Sequence, residues 1–136
     1  MNKMKRIQRI IFFILVFHLF ISCERKPDYL ELNKSYDLSF GKCIHDFDKI
    51  LCVCFDSLIT DSRCPEGGIC FWAGEAIARF KITVGKYEIQ AIDLKLSNDT
   101  VIHGFKFSFV GLSPYPSIRH TIRLNDYEAR IIVQQE

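Results

Sequence analysis

From Lys34 onward, apolar and polar side chains alternate with period two, and this alternation constrains the fold more than any other feature. Tyr36, Leu38 and Phe40 alternate with Ser35, Asp37 and Ser39. In the segment from Glu75 to Val84, Ala76, Ala78, Phe80, Ile82 and Val84 alternate with Ile77, Arg79, Lys81 and Thr83. Successive side chains of a strand point to opposite faces, so this pattern marks a strand with one buried and one wet face. Gly85-Lys86 interrupts it, and Tyr87, Ile89 and Ala91 restart it against Glu88 and Gln90, predicting a hairpin. Ser97-Asn98-Asp99 predicts another turn. Phe105, Phe107 and Phe109, then Tyr127, Ala129, Ile131 and Val133, continue the same alternation. Leu51 to Leu58 carries apolar or cysteine side chains on both faces, which predicts a central strand. No segment sustains a 3.6-residue period beyond about one turn, so crossover helices for a parallel sheet are missing. The expectation is an all-β chain: one antiparallel β-sandwich or barrel of about 6–8 short strands over residues 34–136.

Residues 1–22 do not fit that pattern. Lys3, Lys5, Arg6 and Arg9 precede an apolar run, Ile10 to Ile21, of 12 residues, followed by Ser22-Cys23. A bilayer-spanning helix needs about 20 apolar residues, and His18 interrupts this run. Basic, apolar and small residues in that order predict a signal peptide. Ending on cysteine, it resembles the bacterial lipoprotein signal, with Phe20 where leucine is commonest. The resemblance implies that the Cys23 thiol carries a diacylglyceryl lipid, palmitate chains included, and becomes the first mature residue. Two or more acyl chains make a lasting membrane tether. Residues 23–33 then read as a lipidated terminus and a charged linker. Secretion without lipid, with Cys23 structural, is the alternative. Glu24 is not the aspartate that retains some lipoproteins at the inner membrane, which favours the outer membrane.

Removing this leader changes the charge. The chain has 18 Lys and Arg against 16 Asp and Glu, and four of the basic residues lie before Cys23. The remaining part is therefore at −2, and no basic patch points to nucleic acid.

The densest motif runs Asp61-Ser-Arg63-Cys64-Pro65-Glu66-Gly67-Gly68-Ile69-Cys70-Phe71-Trp72-Ala73-Gly74-Glu75-Ala76. Pro65 and Gly67-Gly68 bend a loop between two strands so that Cys64 and Cys70 can meet, and an oxidising compartment predicts their bond. Trp72 is expected to pack near the bridge, and Gly74 to allow close backbone approach. Cys43, Cys52 and Cys54 remain. Cys52 and Cys54 share one strand face, so a bond between them is strained. Cys43 can pair with either, leaving one thiol free, or all three can be small buried residues. A third possibility is a soft metal site formed by Cys43, His45, Cys52 and Cys54, although neither pair has the Cys-x2-4-Cys spacing of a zinc knuckle.

The Asp61 to Ala76 motif, with Leu112-Ser-Pro114-Tyr115-Pro116 after a later strand, resembles a family of small uncharacterised bacterial envelope proteins, many of them lipoproteins. The resemblance spans about Tyr36 to Val133. It implies a β-rich extracytoplasmic domain and transfers no activity or cofactor. Cys43, Cys52 and Cys54 are additional to that family's cysteine pair.

No nucleophile elbow, zinc-protease helix motif, phosphate-binding loop or dinucleotide fingerprint is present, so the chain is expected not to be an enzyme and to need no cofactor. Arg63, Glu66, Trp72 and Tyr115 are candidate partner-binding residues. For three of them the plainer reading is favoured: an Arg63–carboxylate pair pins the loop, Pro114-Tyr115-Pro116 is a rigid turn with the tyrosine ring packed on the core edge, and Trp72 belongs to the core. Asp56-Ser57-Leu58, at an expected strand end, and Asp99-Thr100-Val101 resemble a bacterial O-glycosylation pattern, Thr100 being the better placed. The expected role is a membrane-anchored binding module for an unknown envelope protein or ligand. The alternatives are an inhibitor of a hydrolase and a metal-binding protein.

Overall fold

A computed structural model describes residues 29–136; the leader and Cys23, with its expected lipid, lie outside the described residues. Eight strands form: β1 Ser35–Ser39, β2 Cys43–His45, β3 Leu51–Asp61, β4 Ala76–Val84, β5 Gln90–Lys95, β6 Asp99–Ile102, β7 Phe105–Ser113 and β8 Glu128–Gln135. They make two antiparallel four-stranded sheets, ordered β1-β8-β7-β6 and β2-β3-β4-β5. Each strand thus neighbours the next one in sequence, and the order breaks only between β1 and β2 and between β5 and β6. The sandwich is an up-and-down ring opened at two seams. Among the described residues no helix is long and apolar enough to cross a membrane.

Period two explains the core. Leu51, Val53 and Phe55 of β3 and Ala76, Ala78, Phe80, Ile82 and Val84 of β4 are buried from one sheet. Phe107 and Phe109 of β7 and Ala129, Ile131 and Val133 of β8 are buried from the other. Phenylalanine rings bridge the layers: Phe55 lies 5.8 Å from Phe80, which meets Phe109 edge-on at 5.3 Å. β3 is a central strand, as its composition implies. However, only its inner face is fully buried, and Cys52 and Cys54 on the outer face are half-buried.

Three boundary expectations are corrected. Leu30 is 4% exposed and its amide donates to the His45 carbonyl, so the packed chain reaches back before Lys34. The β4–β5 hairpin forms, but β5 begins at Gln90, and Tyr87 and Ile89 are exposed in the connection. There Tyr87 stacks on His103 with ring centroids 3.9 Å apart, a contact outside the core. Finally, Asp56-Ser57 lies inside β3 at a register shift, because β3 runs on to Asp61.

All strands run between the same two ends. Chain segments around Tyr29, Asp46–Ile50, Lys86 and His103 gather at one end, where Tyr29 lies 5.8 Å from His45 and 5.5 Å from Phe47. The β3–β4 and β7–β8 connections lie at the other end, about 35 Å away along the eleven residues of β3.

Candidate functional site

The β3–β4 and β7–β8 connections meet at a buried ion pair. Asp61 ends β3, and Arg63 folds back on it: Nε donates to Oδ1 and Nη2 to Oδ2, each at 2.7 Å. The remaining guanidinium donors cross to the other sheet, Nη1 to the Leu112 carbonyl at 2.6 Å and Nη2 to the Pro114 carbonyl at 3.0 Å. Tyr127, preceding β8, donates its hydroxyl to Asp61 Oδ2 at 3.0 Å. The Arg63 and Asp61 side chains are only 7% and 5% exposed. Burial pushes the Asp61 carboxyl up, but the Arg63 guanidinium and the Tyr127 hydroxyl outweigh it and hold it below the ordinary carboxylate range. Burial, then the neighbouring Asp61 carboxylate, raise the Tyr127 phenol. The pinning reading of Arg63 therefore describes the structure. Arg63 is inside, not on a recognition surface, and it reaches the surface only through Tyr115, whose ring lies 4.8 Å from the guanidinium carbon.

The loop beyond this clasp is braced along its length. Cys64 and Cys70 are bonded, with Cα atoms 6.0 Å apart. The Glu66 amide donates to the Pro116 carbonyl at 2.9 Å, and the Ile118 amide to the Glu66 carbonyl at 3.2 Å, joining the two connections. Gly74 brings the loop back: a methyl group there would lie 1.5 Å from the Ser62 carbonyl oxygen. That approach permits the Ser62 amide to donate to the Glu75 carbonyl at 2.8 Å and the Glu75 amide to the Ser62 hydroxyl at 3.0 Å. Glu75 itself pairs with Lys95 at 2.7 Å.

Apolar side chains project from this braced scaffold. Ile69 is 99% exposed, Phe71 98% and Trp72 81%, and Ile118 and Tyr115 are exposed on the adjoining β7–β8 connection. The expectation that Trp72 packs into the core is corrected, for it lies outside, 6.4 Å from the Phe71 ring. Trp72 falls in the loop before strand alternation resumes at Ala76, so no sheet face receives it. Glu66 is exposed on the same loop. Phe71 and Ile118 were not singled out from sequence. The signal was present in Ile69-Cys70-Phe71-Trp72, an apolar run in a Gly- and Pro-rich turn where alternation has stopped.

The other cysteines lie elsewhere. Cys43 of β2 faces Cys54 of β3 directly and is bonded to it, and His45 faces Cys52 on the same outer face. Cys52 is the free thiol among the described residues. The disulfide withdraws two of the three sulfurs from any soft metal site, and His45 turns Nδ1 toward the Asp46 carbonyl at 3.0 Å. Comparisons with protein-family models, with curated proteins and with solved structures found no match.

Proposed function

We propose that the chain is a lipid-anchored envelope protein of a bacterium that binds a partner protein through the stapled loop. The observation that carries this reading is the trio Ile69, Phe71 and Trp72, almost fully exposed on a loop fixed by a disulfide, a buried ion pair and main-chain hydrogen bonds. Large apolar side chains grouped on a surface mark interaction sites, and aromatic anchors contribute most of the free energy of such interfaces. A braced loop loses little conformational entropy on binding, so more of its contact energy becomes affinity.

Polarity along the sandwich supports a protein partner over the anchoring membrane. The chain enters at the Tyr29 end and the apolar loop lies at the other end, about 35 Å along β3. A lipid on Cys23 would hold the first end near the bilayer and present the loop away from it. The oxidising compartment expected from the leader agrees with two disulfides in the domain.

Inhibition of a hydrolase is the second reading, favoured by one detail. Ile69 stands fully exposed between Gly68 and the bonded Cys70, as a single side chain on a rigid loop that could enter a cleft.

Affinity capture from envelope extract tests both. Trp72→Ala and Phe71→Ala should each weaken capture of the partner about tenfold or more. Ile89→Ala, at the opposite end, should leave capture unchanged. Equal capture by all three variants would overturn the loop reading. If the captured protein is a hydrolase, Ile69→Ala should relieve its inhibition; an unrelieved hydrolase would leave the loop a binding surface and remove the inhibitor reading.

A further inference from the structure

The outer face of the β2–β3 ladder carries three sulfurs. The Sγ atoms of Cys43, Cys52 and Cys54 all lie within 4.8 Å of one another. Cys43 and Cys54 form the bond, across strands whose Cα atoms are 3.9 Å apart, and Cys52 is a thiol two residues before Cys54 on the same strand face. A thiolate beside a disulfide is the reacting arrangement of thiol–disulfide exchange.

We propose that this cluster is an intramolecular thiol–disulfide exchange site in which Cys43 alternates between Cys54 and Cys52. The Cys52 thiolate attacks Cys43 Sγ; the Cys52–Cys43 bond forms as the Cys43–Cys54 bond breaks, and Cys54 leaves as the thiolate. One disulfide and one thiol are present before and after, so the step needs no oxidant or reductant. Attack at Cys54 instead would link Cys52 to Cys54, two residues apart on one strand, a geometry that strains a disulfide.

Three features make Cys43 the mobile partner. It is exposed, and it lines an open groove between β1 and β2. Its strand has three residues and lies at a sheet edge, paired only with β3. Cys43 and Cys52 are diagonal neighbours in the present register, so bonding them draws β2 along β3. A slide of two residues preserves which side chains face the core, whereas a slide of one would expose Ile44. Burial, then the nearby Asp46 carboxylate, keep the Cys52 thiol protonated above its ordinary range, which slows the attack without changing its direction. The exchange also reaches the chain's entrance, because Leu30 is hydrogen-bonded to His45 and Tyr29 lies against its ring.

Peptide mapping of the full chain after acid quench and thiol alkylation tests this. In the unmodified protein, alkylation should mark Cys52 in most molecules and Cys54 in a second population, with Cys43 always bonded. Cys52→Ser should abolish the Cys54 mark. Cys54→Ser, refolded with glutathione disulfide as the two-electron oxidant, should carry no thiol among the three positions, because Cys43 bonds to Cys52 as glutathione is released reduced. A thiol confined to Cys52 in the unmodified protein overturns the proposal, as does a Cys54 mark that survives Cys52→Ser. Two free thiols in a folded Cys54→Ser protein would also overturn it. If that variant does not fold, the unmodified protein and Cys52→Ser decide the matter alone.

Discussion

Gly74 and the Asp61–Arg63 pair decide whether the apolar loop is held in place. At Gly74 no side chain fits, because a Cβ would overlap the Ser62 carbonyl, which is backbone and cannot rotate away. Gly74→Ala should therefore destabilise the domain by about 3 kcal/mol, measured by urea unfolding, while Gly41→Ala, where a Cβ meets no atom but φ is +73°, should cost only the left-handed backbone strain of about 1–2 kcal/mol. Arg63→Ala leaves Asp61 a buried charge without its main partner and should cost about 3–5 kcal/mol. The pH dependence follows from the sign of the Asp61 shift. Its folded pKa lies below the unfolded value, so its stabilisation is complete above the ordinary carboxylate range. It is lost as pH falls through that range toward the folded pKa. Asp61→Asn should flatten the dependence of unfolding free energy on pH below about 4, and an unchanged acid slope would contradict this. Asp37, lowered by its hydrogen bond to Arg130, is an exposed pair and should contribute little to that slope.

At the level of elements, the Cys64–Cys70 loop is a connection stiffened into a structural piece. Its short ring should contribute about 2 kcal/mol by restricting the unfolded chain. Cys64→Ser with Cys70→Ser should therefore lower stability by about that amount, with strand content by circular dichroism unchanged, and should weaken partner capture by freeing Ile69, Phe71 and Trp72. Loss of strand signal would show that the loop organises the sheets, contrary to this account. The β4–β5 hairpin shows the limit of reading alternation through a turn. Tyr87 and Ile89 have strand-like spacing, yet ladder hydrogen bonding begins at Gln90, opposite Ile82, and the two residues remain outside. Period two specifies which side chains share a face; the position of the first ladder pair decides whether that face meets anything.

For the whole molecule, the consequence is polarity. One end receives the chain from its N-terminal segment and the other carries the apolar loop. The chain contains a single tryptophan, Trp72, so tryptophan emission, excited where tyrosine does not absorb, reports on that loop alone. Emission should be that of a solvent-exposed indole in the native domain and should shift little on unfolding. With lipidated protein on vesicles, aqueous quenchers should reach Trp72 and quenchers placed in the acyl region should not. Strong quenching from within the bilayer would mean that the loop inserts into membrane, and the protein-partner reading would fall.

The all-β class, the inner faces of β4, β7 and β8, the Cys64–Cys70 bond and the need for glycine at position 74 are legible in the residue pattern. Each of these is local, fixed by side-chain period, by a bend between two nearby cysteines or by a short turn. The other features arise from contacts between segments distant in sequence. Cys43 bonds to Cys54 because β2 and β3 pair in a register that puts them opposite each other, and no local spacing states that register. Arg63 is buried because Leu112 and Pro114, distant in sequence, bring their carbonyls to it. Trp72 is outside because it lies in the connection before β4, where no sheet face receives it. Burial and pairing across the chain depend on which surfaces meet, and that becomes defined only when the two sheets close on one another.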